Sequence, residues 1–361
     1  MDLFLAGHTS RGSTKTPFDG VLPVYEPLNL SNRKSDKFQD DRFKLRRTSS
    51  IVDILNSESQ AKKLHSALHS VDGEVGTIIS ILSRMSQYQR TRILHYYKSL
   101  FGRKLSTDMK NVLGGDFCDA CLMLISDPKV IACKQIYDLL IEFPFPREER
   151  LISILCERSN EEIQIIQHTY EKKFGESLEK SFLHYLDSEK AKFIKILVNP
   201  LRQEDWSLNS LQVHVDAQNL LNLGIGVSYG DSPNPIIYSL LRKRGFNHLR
   251  NVFAEYERLT GKKVWNMLEP AMPQNCRKIL VLIMEAVNNP ELFTAKVLLS
   301  STPNFAEFYK TLLVTRLTRN KEFYNLVEYR FTEFCNRRIS DVVKSEDNSA
   351  LRTLLLSLMY L

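Results

Sequence analysis

Across residues 86–101 apolar side chains return every fourth position: Ile93, Tyr97 and Phe101 stand at i, i+4 and i+8, with His95, Lys98 and Ser99 between them. That period belongs to a helix that buries one face. It returns at Ile166, Tyr170 and Phe174, then at Val252 and Tyr256, then at Val327, Phe331 and Cys335. The aromatic anchors Tyr97, Tyr170, Tyr256 and Phe331 are spaced by 73, 86 and 75 residues. Start signals recur with the stripe. Ser86 precedes Gln89 by three positions and Ser159 precedes Glu162 by three, the spacing of a capping box. Stop signals recur too: Gly102, Gly175 and Gly261 follow the first three stripes and Asn336 the fourth, and both residue types tolerate a left-handed cap. No long Val/Ile alternation suggests a sheet, so the chain is predicted to be all-helical. A whole pattern recurring at this interval predicts a repeat protein. The expected layout is a basic, disordered N-terminal tail at 1–57, repeats at 58–129, 130–199, 213–290 and 291–361, and a linker at 200–212 containing Trp206.

The stretch LISILCERSNEEIQIIQHTYEKKFGESLEKSF, together with VHVDAQNLL and HLRNVFAEYERLTG, resembles the annexin repeat, and the likeness runs over about residues 60–361. The resemblance implies an all-α fold: four repeats of about five helices each in a curved disc, preceded by a flexible tail. It also implies convex loops that hold Ca2+ and bridge the protein to an acidic phospholipid membrane surface. Calcium takes about six to eight oxygens, so such a site needs outward carbonyls and a bidentate acid. The family takes the carbonyls from a G-x-G-T loop and the acid from 42 positions after its first Gly, which falls here at 112, 185, 271 and 346.

This chain departs from that pattern in every copy. The loops read Ser70-Val71-Asp72-Gly73, Phe143-Pro144-Phe145-Pro146, Tyr229-Gly230-Asp231-Ser232 and Asn304-Phe305-Ala306-Glu307. The matching acid positions hold Val112, Tyr185, Ala271 and Glu346. Proline fixes φ and lacks an N–H, so Pro144 and Pro146 cannot imitate two glycines. The family's calcium sites are therefore expected to be lost or severely weakened in all four repeats. Gly230, Asp231 and Glu346 remain as residual candidates for an ion, against the plain reading of solvated acids.

Membrane contact has other candidates. Phe143 and Phe145, beside Arg147, suit insertion at a bilayer interface if they stand on an exposed tip; folded back, they pack on their own repeat. Lys190, Lys192 and Lys195 suit headgroup attraction, or form an ordinary charged face. Arg158, Arg244 and Arg319 precede the capped helix in the last three copies, where the first has Met85 with Arg84 beside it. These arginines are assigned a structural role, serving helix-end carbonyls and a buried acid.

Composition changes this picture little. The 361 residues are 43% apolar and 25% charged, as in a soluble globular protein, and the net charge of +7 is modest for that size. The best candidate apolar run, Ile279–Met284, is too short to cross a bilayer. Asp2 stands where myristoylation needs glycine, and no secretory signal precedes the tail, so a cytoplasmic location is expected. Six cysteines suit free thiols, and the lone CxxC of Cys118 and Cys121 reads as core packing. Residues 33–47 carry seven basic and three acidic side chains, and the RRTSS at 46–50 makes Ser49 the candidate acceptor for a basophilic kinase. The resemblance to annexins also implies that the tail binds a protein partner. The eight histidines are scattered, with no nucleophile motif, and no nucleic-acid module is present, so neither enzymatic activity nor nucleic-acid binding is expected. Two functions follow: an annexin-like peripheral membrane protein binding acidic phospholipids, or a non-enzymatic helical scaffold for protein contacts that no longer binds membrane.

Overall fold

The structure, a computed structural model, describes residues 51–70, 74–141, 148–156, 158–199, 201–203, 209–223, 235–268 and 274–359. The chain divides into two units, 1–54 and 55–361. Of the first, only the opening of one helix is described. Twenty helices and no strand occupy the described residues.

The helices recur in a cycle of five. The first cycle is α1 (Ile51–His69), α2 (Val75–Arg84), α3 (Gln87–Phe101), α4 (Leu105–Val112) and α5 (Gly115–Ile125). The second is α6 (Pro128–Ile141), α7 (Glu148–Leu155), α8 (Asn160–Phe174), α9 (Leu178–Tyr185) and α10 (Ser188–Leu197). The third is α11 (Ser210–Leu223), α12 (Pro235–Lys243), α13 (Phe246–Thr260), α14 (Val264–Leu268) and α15 (Gln274–Asn288). The fourth is α16 (Pro290–Ser301), α17 (Phe305–Thr318), α18 (Lys321–Cys335), α19 (Ile339–Lys344) and α20 (Ser349–Met359).

The third helix of each cycle, α3, α8, α13 or α18, is 15 residues long. Ser86 with Gln89 and Ser159 with Glu162 form complete capping boxes. Asn320 caps α18 by accepting from the Phe323 amide, while Gly245 at the start of α13 caps without a side chain. All four helices end in the left-handed region, at Gly102 (φ +65°), Gly175 (+79°), Gly261 (+68°) and Asn336 (+52°). The apolar stripe explains the length. Tyr97, Tyr170, Tyr256 and Phe331 are each buried, and an aromatic ring so placed contributes about 1.5–3 kcal/mol. Tyr97 also donates its hydroxyl to Asp108 at 2.7 Å, and Asp108 pairs with Arg103 at 2.7 Å.

Two boundaries differ from the sequence expectation. Helix α1 starts at Ile51, inside the stretch expected to be tail, because the apolar run Ile51-Val52-Asp53-Ile54-Leu55 leads in helical phase to the buried Ala61 and Leu64. Helix α11 starts at Ser210, inside the expected linker. Ahead of it, Arg202 is buried with its guanidinium 3.9 Å from the centre of the Phe246 ring, and the Gln203 amide donates to the Lys243 carbonyl.

The buried apolar residues form two cores. One takes α6–α15 together with Phe293, Val297 and Val314. The other takes α1–α5 and residues of α16–α20. Helix α17 serves both, with Val314 in the first and Phe308, Tyr309, Leu312 and Leu313 in the second.

The join between the cores is polar. Arg158, just past α7, donates to the Thr318 carbonyl at 2.8 Å and to its hydroxyl at 2.9 Å. Arg319, just past α17, donates in return to the carbonyls of Ser153 (3.0 Å), Ile154 (3.4 Å) and Cys156. Each helix end supplies the cation for the other's orphan carbonyls. At the opposite ends of the two helices, Arg150 and Glu307 lie 3.9 Å apart. Arg319→Ala should therefore lower unfolding free energy by about 2–4 kcal/mol, because buried carbonyls lose charged donors. Arg319→Lys should recover only part of that. Urea denaturation of both variants measures it; a wild-type midpoint for Arg319→Ala would show that the join carries no stability.

Candidate functional site

The turns between the first and second helices of each cycle are the places where the sequence puts ion and membrane chemistry. Phe143, Phe145 and Arg147, and likewise Gly230, Asp231 and Ala271, lie outside the described residues, as does Ser49. The α16–α17 turn is described in full and is tight. Helix α16 ends at Ser301 and α17 begins at Phe305. The Thr302 amide bonds the Leu299 carbonyl and the Asn304 amide bonds the Ser301 carbonyl. The Asn304 carbonyl accepts from both Glu307 and Phe308, and its side chain accepts from the Glu307 amide. Phe305 packs against Phe308 and Tyr309, at ring separations of 5.7 and 6.2 Å. The Glu307 side chain is 12% exposed and faces Arg150.

The positions that the family pattern reserves for an acid are scattered in character. Val112, at the end of α4, is 45% exposed and offers no oxygen from its side chain. Tyr185, at the end of α9, is half-buried and stacks on His184 at 4.5 Å. Glu346 is half-buried, and its carboxylate accepts from the Asn348 amide at 3.1 Å. Its carbonyl accepts from Arg352 at 2.6 Å, so both oxygen-bearing groups of Glu346 help shape the turn into α20. Among the described residues no three His, Cys, Asp or Glu side chains come together as a metal site.

Of the lysines, Lys190 is half-buried on α10 and bridges Glu148 (2.9 Å) and Asp187 (3.3 Å). Those carboxylates hold its pKa above the usual lysine value despite the opposing effect of burial. Lys192 is exposed on the same helix, and Lys195 pairs with Glu179 at 3.0 Å. Lys190 thus spends its charge within the fold, linking α7 to α10.

Arg244 lies in a buried cluster that the sequence did not reveal. Asp216 on α11 accepts from Arg244 Nε at 2.8 Å, from His248 Nε2 at 2.8 Å and from Gln212 at 2.9 Å. Arg244 also donates to Gln203 at 3.0 Å, so one guanidinium joins the connecting segment to α11. Asp216 stands inside the VHVDAQNLL stretch that resembles the repeat, and an acid in helical phase with Val213 and Leu220 was the available signal. Arg90 fills the corresponding need in the first cycle. It is buried and donates to the Leu82 carbonyl at 3.0 Å, and burial pulls its pKa down to about 10. It comes from α3, five positions after Met85.

Arg150, Arg158 and Arg319 line a narrow cleft with Gln135, Thr294 and Thr315. Thr311 and Thr315, on its wall, donate their hydroxyls to the carbonyls one turn back along α17.

A family model described as Annexin matches residues 59–124 and 146–187. Annexin A13 of Mus musculus is 27% identical over 305 residues, covering 84% of this chain and 95% of that protein. Annexin A13 of Homo sapiens is 26% identical over 303 residues, with the same coverage of 84% and 95%. The solved structure of annexin III superposes with a TM-score of 0.75 at 22% identity, covering 84% of this chain and 93% of that one, which establishes the shared all-α fold.

Cys118 and Cys121 face inward on α5, and both are buried. Burial raises the thiol pKa of both, and that of Cys133 up to about 12. A thiolate, not a thiol, is the reacting species. In a Cys276→Ser background, half-buried Cys335 should therefore react first with a thiol reagent at mildly alkaline pH, with Cys118, Cys121 and Cys133 protected until unfolding. Mass spectrometry of labelled peptides measures the order, and early labelling at Cys118 or Cys121 would overturn the assignment of the pair to core packing.

Proposed function

The chain belongs to the annexin family, and on that premise we propose that it is a peripheral membrane protein for acidic phospholipid surfaces whose calcium dependence is lost or severely weakened. Annexins generally bind acidic phospholipids in a calcium-dependent manner and are generally non-enzymatic. In this reading each cycle of five helices, beginning with α1, α6, α11 and α16, is one annexin repeat. No helix among the described residues is long and apolar enough to cross a membrane.

The observation that carries the departure from calcium is the turn between α16 and α17. A hard cation needs several oxygens turned outward at about 2.3–2.6 Å. Here the Asn304 carbonyl is already engaged by two amides of α17, the Asn304 side chain caps that helix, and Glu307 faces Arg150. Glu346, the acid at the matching position, is engaged in its own turn. Val112 supports the same reading for the first repeat, since a half-exposed isopropyl group cannot replace a carboxylate.

Membrane affinity then rests on side chains that insert or attract. The stretch Phe143-Pro144-Phe145-Pro146-Arg147 offers two aromatics and a cation in the second repeat, and exposed Lys192 adds charge on α10. Basic residues 33–47 extend the attraction, and phosphate on Ser49 would weaken it. Aromatic insertion needs no ion, so binding is expected without calcium.

Sedimentation with phosphatidylserine vesicles tests this reading. The full chain should pellet equally with calcium and with chelator, and Phe143→Ser/Phe145→Ser should reduce the bound fraction about tenfold. Pelleting only with calcium would overturn the loss of the sites. Failure to pellet under either condition would favour a helical scaffold for protein contacts.

A further inference from the structure

Helix α1 carries His65 and His69 one turn apart, which puts both imidazoles on one face. Their rings stack at 4.1 Å between centroids with planes 19° apart. The other face of His65 lies on Phe101, at 3.8 Å and 17°, so its plane is held from both sides. His69 is exposed and His65 half-buried, which leaves the outer edge of the pair open to solvent. His69 Nδ1 lies 2.8 Å from the His65 carbonyl. A carbonyl only accepts, so that nitrogen carries the hydrogen and Nε2 of the neutral ring keeps its lone pair. A hydrogen bond of this kind is what fixes the tautomer and orientation of a metal-bound imidazole.

We infer that His65 and His69 form a two-imidazole chelate for a borderline divalent cation of the zinc, copper or nickel class. Two nitrogens on one zinc, each about 2.0–2.1 Å from it, sit roughly 3.0–3.4 Å apart. A bound ion lies in the plane of each imidazole, and stacked planes share no such point, so binding requires rotation about the side-chain torsions that opens the stack and swings the two ring nitrogens together. The imidazole donors choose the ion: nitrogen favours zinc, copper or nickel, while calcium wants oxygen. No group of three His, Cys, Asp or Glu side chains converges among the described residues, so water completes the coordination and the site stays open. Asp108 and Arg103, the charged groups near His65 from the α3–α4 side, pair with each other at 2.7 Å. This inference is independent of the membrane reading, since neither imidazole belongs to a loop that the family pattern assigns to calcium.

Zinc titration of the full chain by calorimetry near neutral pH tests it. One ion per chain should bind. His69→Lys, at an exposed position where folding is not at stake, should weaken uptake about 100-fold by removing the intramolecular second ligand. His65→Gln should do the same, with circular dichroism confirming that helix content is kept, while His95→Gln and His168→Gln should leave the isotherm unchanged. Copper-loaded protein should show two coordinated nitrogens in its electron paramagnetic resonance spectrum, reduced to one by His69→Lys. Absence of uptake by the wild-type chain, an isotherm insensitive to His69→Lys, or one ion shared by two chains would each overturn the proposal.

Discussion

The fold depends on how two helix ends are neutralised where they meet. The C-termini of α7 and α17 lie side by side, so orphan carbonyls and two negative dipole ends face each other away from bulk water. Apolar packing cannot relieve that. Arg158 and Arg319 do, each reaching across to the other helix, while Arg158 also serves its own through the Ile154 carbonyl. Because α17 takes part in both apolar cores, the exchange is also the polar seam between the half of the molecule built on α6–α15 and the half built on α1–α5 and α16–α20. The same need is answered elsewhere from different positions. Arg90 serves the end of α2 from inside α3, and Arg244 meets Asp216 and Gln203. A guanidinium at these places is a requirement of the packing, whichever element supplies it.

The seam and the stripes bear the physical constraint, and the turns do not. Replacing Tyr97 or Tyr170 would open a void against neighbours that relax only in part, at a cost of several kcal/mol. A surface turn can change composition with little effect on stability as long as its backbone groups find partners. The α16–α17 turn shows the result. It has become a short, self-bonded connection whose acid faces inward to Arg150. A repeat scaffold can thus keep its core while the residues on its turns and outer faces vary, as the stacked imidazoles on α1 do without disturbing the core.

Much of the architecture was legible in one dimension because its causes are local. A helix announces its start through Ser159 and Glu162, its buried face through Ile166 and Tyr170, and its stop through Gly175, all within about five turns. The departure of the loops from the family pattern could likewise be counted along the chain, at Pro144, Val112 and Ala271. The onset of α1 at Ile51 was harder to place, since a run of apolar residues after a polar tail sets no sharp boundary without a cap.

Which side chains would meet could not be read that way. Arg158 and Thr318 are 160 positions apart and Asp216 and Arg244 are 28 apart, and Lys190 looked like part of a surface charge row until α7 brought Glu148 to it. Nothing in the spacing separates a solvated lysine from a paired one, because that depends on which helices pack against each other. The chain by itself determined four recurrences of one helical pattern and the departure of its loops from the residues of the family pattern, since both are matters of near neighbours. Only the tertiary structure decided where charge is spent, because pairing is set by distance in space and by exclusion of water, and neither is written in the order of the residues.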